Sequence, residues 1–154
     1  MKVIEVKNLS YNYQTSELDV PVLRNLSFDI SRNEMVAICG RSGSGKSTLL
    51  YVLGCLLTTY KGHVKIFGED LRSLNDQELA YLRNRKIGFV FQQFCLLPHL
   101  SVVENVELAK DFANVGTPEQ RANELLTTLQ LSDHAGYFPG QLSGGQQQRV
   151  AIRS

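Results

Sequence analysis

Apolar and polar residues alternate over residues 3–9, and a second stretch of strand-forming residues covers 22–30. Residues 35–39 are apolar throughout and stop at Gly40, the pattern of a buried parallel strand. Asn33-Glu34 before them marks a turn, because Asn accepts a positive φ. Residues 64–67 and 87–91 are two more short strand candidates. Elsewhere the period is 3.6. Leu49, Leu50, Leu53, Leu56 and Leu57 form one stripe of a helix that starts near Lys46. Asn75 with Glu78, and Ser101 with Glu104, are capping pairs that open two further helices. Thr117-Pro118-Glu119-Gln120 offers an N-cap, proline at the first helical position and Gln at the third, ahead of the stripe Ala122, Leu125, Leu126 and Leu129. Ser143 and Gln146 open a last helix. Strands first and helices afterwards predict an α/β core that carries a helical lobe.

Composition then narrows what such a chain does. Its 154 residues suit one ordinary domain. Sixteen Lys and Arg against 15 Asp and Glu leave a charge of +1 with no basic stripe, so nucleic acid is not an expected partner. The longest apolar run, 49–57, is broken by Gly54 and falls short of the ~20 residues of a membrane span. Met1-Lys2 leads straight into the alternating stretch rather than into a leader peptide. These features argue against a secreted or membrane-spanning chain. Cys39, Cys55 and Cys95 are odd in number and far apart, which reads as buried small hydrophobes in a reducing compartment. His63, His99 and His134 are equally scattered and make no metal-ligand cluster.

One segment carries chemistry outright. Gly40-Arg41-Ser42-Gly43-Ser44-Gly45-Lys46-Ser47-Thr48 matches G-x-x-x-x-G-K-[ST] between an apolar strand candidate and a helix. Glycines let the backbone curl so that successive N–H groups point at a phosphate, and the helix N-terminus adds free donors and partial positive charge. Lys46 reaches the β/γ-phosphates, the Ser47 hydroxyl suits Mg²⁺, and Arg41 supports the loop. A nucleoside triphosphate is the expected ligand. No Asn-Lys-x-Asp segment is present to read guanine, which counts against a GTPase.

A second segment, Leu142-Ser143-Gly144-Gly145-Gln146, is more than a capped helix start. Two adjacent glycines in a first turn weaken a helix, and their use is to let a bulky anion approach the N-terminal amides. With this segment and the phosphate loop together, the chain resembles along its whole length the ATP-binding subunits of ABC transporters. Val20-Pro21-Val22-Leu23, Leu53-Gly54-Cys55-Leu56, Gly88-Phe89-Val90-Phe91-Gln92, Leu96-Leu97-Pro98-His99 and Glu104-Asn105-Val106-Glu107-Leu108 are similar to the bacterial lipoprotein-release and macrolide-export group.

The resemblance implies an α/β P-loop fold with an antiparallel N-terminal β portion. Residues 1–97 would be the nucleotide-binding core and 98–154 a helical lobe with the signature motif. ATP and Mg²⁺ are the implied ligands. Gln92 would be the Q-loop glutamine that couples to Mg²⁺ and the γ-phosphate. Tyr13 would stack on adenine, with Tyr11 as the competing candidate, and residues 94–98 either pack as a loop or face a membrane partner. Two chains would sandwich two ATP molecules head to tail, each between one chain's residues 40–48 and the other's residues 142–146. The complete type would sit on the cytoplasmic face of the cell membrane, on an integral membrane transporter subunit. The family pattern continues into an apolar strand ending in Asp-Glu and later a histidine. This sequence instead stops at Val150-Ala151-Ile152-Arg153-Ser154, whose last two residues depart from that pattern. It therefore reads as cut short, with no catalytic base and an incomplete central sheet, and as better at binding than at hydrolysis. A non-hydrolysing nucleotide-binding fragment stays open as an alternative. A soluble ABC-type ATPase acting on DNA or ribosomes is disfavoured, because no long coiled or basic insertion is present.

Overall fold

The computed structural model describes residues 1–14, 18–111 and 118–152. They form two compact units, Met1–Ile87 and Gly88–Ser154. In the first, β1 (Lys2–Gln14) and β2 (Asp19–Ser31) are long antiparallel partners, followed by β3 (Lys61–Ile66) and the short β4 (Glu69–Asp70). The sheet order is β2-β1-β3-β4 with antiparallel pairing throughout, Val6 lying opposite both Phe28 and Val64. The register of β1 against β2 shifts at four places. One of these shifts spans Asn8, whose φ of 52° is left-handed. Such a bulge adds one residue and restores the phase, so that Val6, Leu9 and Tyr11 all reach the core.

Helix α1 (Lys46–Leu53) packs on this sheet through Leu49, Val52 and Leu53, while Leu50 stays 45% exposed. It is shorter than its leucine stripe. Gly54 caps it and Cys55 turns left-handed at φ 58°, so Leu56 and Leu57 lie beyond its end. Helix α2 (Asp76–Lys86) starts as its sequence predicts: Asn75 Oδ1 accepts from the N–H groups of Gln77 and Glu78, and Glu78 Oε2 accepts from Asn75 N–H. Leu79 and Leu82 close the core of this unit.

Two expected strands are absent. Residues 35–39 have no regular structure, and Met35 is fully exposed with Val36 at 53%. Residues 87–91 are likewise irregular, with Val90 52% exposed. A strand exists only while a neighbour takes up its hydrogen bonds. The edges of the described sheet are β2 and β4, and no described strand runs beside either segment. The third short candidate does form, shifted to Lys61–Ile66, with Phe67 turned out at φ 51°. Asn33 adopts the positive φ expected of it, 65°.

The second unit holds α3 (Val102–Asp111), α4 (Pro118–Thr128) and α5 (Gly144–Ala151), with 3-10 turns at Ser132–His134 and Pro139–Gln141. Ser101 and Glu104 cap α3 reciprocally, Glu104 Oε2 accepting from Ser101 N at 2.7 Å and Ser101 Oγ at 2.6 Å. Thr117 lies outside the described residues. Val102, Val106, Ala122, Leu126, Leu131, Leu142 and Val150 make the core, with Leu125 and Leu129 against it. The fold is thus α/β, with an antiparallel N-terminal sheet and a helical lobe. Among the described residues no helix is long and apolar enough to cross a membrane.

Candidate functional site

The phosphate loop closes largely upon itself. Ser44 N–H donates to the Arg41 carbonyl at 3.2 Å, forming a turn, and Gly45 at φ 89° begins α1 in the left-handed region. Only glycine fits there. A Cβ on Gly45 would stand 2.9 Å from Val22 Cγ1, 3.0 Å from Leu23 Cδ2 and 3.1 Å from the Val22 carbonyl oxygen. Strand β2 therefore presses directly on the loop and sets where α1 starts.

What α1 lacks matters as much. Its N-terminus has no side-chain cap and no acidic residue in the first turn, whereas α2 and α5 each have a full capping box. The first-turn N–H groups are left for another acceptor, with the positive end of the helix dipole behind them. Lys46 Nζ folds back onto the loop, donating to the carbonyls of Gly40 at 2.8 Å and Arg41 at 2.7 Å. An uncapped helix start, a glycine-rich loop and an ammonium group thus adjoin in the chain, a set of groups whose chemistry fits a polyphosphate.

The flanking residues divide by burial. Ser47 is exposed, so its hydroxyl is free for a ligand, while Thr48 is 6% exposed and its Oγ1 lies 3.3 Å from the Tyr13 hydroxyl. Tyr11 and Tyr13 meet edge to face at 5.0 Å, but Tyr11 is 7% exposed and Tyr13 40%. Tyr13 is the more exposed of the two, and both border an open cleft of about 560 Å³ shared with Asp19, Tyr60 and Lys61.

Gln92, in the second unit, is not at a strand end. It sits exposed in a turn that Phe94 N–H closes on the Phe91 carbonyl, ahead of the left-handed pair Phe94 and Cys95. The stretch from Leu97 to Ser101 is secured by Asn105, which belongs to a family-like segment of the sequence but was not given this role there. Asn105, 4% exposed, accepts from Leu97 N–H at 2.8 Å and donates to the carbonyls of Leu97, Leu100 and Ser101 at 2.9–3.1 Å. A buried Asn one turn inside a helix carries no capping signal, so only the structure reveals this clamp.

In the signature segment, Ser143 Oγ accepts from Gln146 N–H at 3.3 Å and Gln146 Oε1 accepts from Ser143 N–H at 2.8 Å. Leu142 is buried in the lobe core, and Gln147 Nε2 ties the turn by donating to the carbonyls of Pro139 and Leu142. Gly144 and Gly145 are exposed, and a Cβ on either would meet nothing within 4 Å. Contacts within the chain do not require glycine at these two positions. They keep the helix N-terminus bare.

A glycine-rich G-x-x-x-x-G-K-[ST] loop beside an antiparallel sheet, and a capped Leu-Ser-Gly-Gly-Gln turn in a helical lobe, are the two features by which this chain can be placed in a class of proteins. The family described as ABC transporter matches residues 23–154, and the chain belongs to that family. It is 51% identical, over 98% of its length, to an uncharacterized ABC transporter ATP-binding protein of Thermotoga maritima, of which it spans 65%. It is 49% identical, over 99% of its length, to the macrolide export ATP-binding/permease protein MacB of Syntrophobacter fumaroxidans, of which it spans 22%. Among solved structures, a dimer of the ATP-binding cassette MJ0796 in a post-hydrolysis state bound to ADP and Pi superposes with a TM-score of 0.87. That match is 44% identical and covers 97% of this chain and 67% of the other.

Proposed function

We propose that the chain is the ATP-binding part of an ABC transporter, in which nucleotide binding and hydrolysis by the whole protein drive an integral membrane partner. The observation that carries this is the uncapped N-terminus of α1 together with Lys46 Nζ turned back onto the loop carbonyls of Gly40 and Arg41. Residues 40–48 cradle the phosphates. On binding, Lys46 exchanges its two carbonyl partners for phosphate oxygens, a change from neutral to charged acceptors. Tyr13, tethered to Thr48, offers its exposed ring to adenine.

The donor set also fits Mg²⁺. That ion prefers hard oxygen ligands and commonly takes one or two from protein, the rest coming from phosphates and water. The exposed Ser47 hydroxyl would hold it, and it would neutralise charge on the β- and γ-phosphate oxygens. The glycine-faced turn of residues 142–146 suits the nucleotide of a second copy, as in the head-to-tail dimer of the family. High identity to MacB favours a macrolide-export or lipoprotein-release type of partner, on the cytoplasmic face of the membrane.

Titration of a fluorescent ATP analogue into wild type and Lys46→Ala tests this reading. Removing a hydrogen bond to a charged group lowers affinity roughly ten- to a hundred-fold. Equal affinity of the two forms would overturn it.

A further inference from the structure

We propose that His134 is a positioning residue for the signature segment, its Nε2 accepting a hydrogen bond from Gln146 Nε2 and so fixing which way round that side-chain amide sits. The inference rests on reading residues 142–146 as the nucleotide-facing turn, but its geometry does not depend on that reading. Gln146 Oε1 is committed to Ser143 N–H at 2.8 Å in the capping box. The NH₂ end of the same amide therefore faces His134, with Nε2 to Nε2 at 3.1 Å. Two N–H groups cannot face each other at that distance, so the imidazole Nε2 presents its lone pair and the ring proton is on Nδ1.

Nothing on the far side of the ring enforces this choice. Nδ1 is buried and has no hydrogen-bond partner among the described residues. The tautomer is set from the Gln146 side alone, and the ring is placed from elsewhere. The Tyr137 ring meets it edge to face at 5.0 Å, and the His134 backbone is fastened on both sides, N–H to the Leu131 carbonyl and carbonyl to Tyr137 N–H, each at 2.9 Å. Turning the Gln146 amide around would offer an oxygen to the imidazole but strip Ser143 N–H of its cap. The capping bond and the histidine bond thus select one another, and together they hold Ser143 and Gln146 in one arrangement beside the bare Gly144 and Gly145. Sequence reading passes over His134, because it lies twelve positions before Gln146 and belongs to no motif.

The test uses the full chain, ¹⁵N-labelled and without nucleotide, so its outcome is separate from that of ATP binding. Long-range ¹H–¹⁵N correlation of the neutral imidazole is expected to show the Nδ1–H tautomer at His134, and an Nε2–H tautomer overturns the proposal. Hydrogen exchange at Ser143 N–H is then compared in His134→Leu and His134→Gln. The first loses the acceptor and is expected to exchange about five- to tenfold faster, the effect of one neutral hydrogen bond. The second supplies an amide oxygen at the same side and is expected to restore protection. Wild-type protection in His134→Leu, or equal loss in both variants, overturns the positioning role. If either variant fails to fold, the tautomer of the wild-type chain decides alone.

Discussion

Gly45→Ala probes the contact by which β2 places the phosphate loop. Two costs add. At φ 89° the residue is left-handed, where a Cβ costs roughly 1–2 kcal/mol. The new methyl would also meet Val22 Cγ1 at 2.9 Å, Leu23 Cδ2 at 3.0 Å and the Val22 carbonyl oxygen at 3.1 Å. The two side-chain tips can rotate aside, but the carbonyl belongs to the strand backbone, so the loop itself must yield. Overpacking of this kind costs ~1–3 kcal/mol. The sum, ~2–5 kcal/mol, is a large share of a domain stability of ~5–15 kcal/mol. Gly43→Ala separates the two costs, because Gly43 has a φ of 77° and open space around its Cβ position. It should lose only the conformational ~1–2 kcal/mol. Urea unfolding of the three proteins is expected to rank them wild type, Gly43→Ala, Gly45→Ala, with the two variants ~1–3 kcal/mol apart. ATP titration should then show weaker binding by Gly45→Ala than by wild type. Equal stabilities of the two variants would refute the claim that β2 holds the loop.

Gly144→Ala and Gly145→Ala are each expected to raise stability by up to ~1 kcal/mol, since alanine favours a helix and neither position has a neighbour within 4 Å; destabilisation in the same unfolding assay would contradict that. Alkylation of the native chain should consume two thiols quickly, the exposed Cys39 and Cys95, and the third only on unfolding. Cys55 is buried, and that burial also pushes its thiol above the ordinary 9.0, so three similar rates would contradict the packing described. The Ser101 hydroxyl, and then its backbone N–H, hold the Glu104 carboxyl below its ordinary 4.5. A lowered carboxylate stabilises the fold above pH 4.5 and loses that contribution as pH falls through its lowered value. Ser101→Ala should therefore flatten the acid limb of stability against pH, and an unchanged limb would show that the cap is not the cause.

How far the sequence could be read depends on the reach of each interaction. Helix starts at Asn75, Ser101 and Ser143 were legible because donor and acceptor lie three residues apart. The phosphate loop is local too: Lys46 bonds back to Gly40 and Arg41, and Ser44 to Arg41. Strands are different. Residues 35–39 and 87–91 have the composition of buried strands and remain irregular, because a strand depends on a neighbour that local composition does not contain. The phase of β1 was hidden too. One left-handed residue at Asn8 brings Leu9 and Tyr11 onto the core face, and Tyr13, nearer the end of the strand, stays 40% exposed.

The same distinction runs through the candidate site. Its two chemical turns are self-closing and so survive as short motifs, but each is aimed by a residue well outside its motif. Val22 and Leu23 meet the loop at Gly45, and His134 meets the signature turn at Gln146. Substitutions at these supporting positions should therefore alter how well the motifs work while leaving the motifs themselves intact. The glycines obey the same logic in opposite ways. Gly45 is required by packing inside the chain, whereas Gly144 and Gly145 face open space and no contact among the described residues requires them. The capping box between Ser143 and Gln146 closes around those two glycines from either side, so the turn keeps its shape with no side chain at either position.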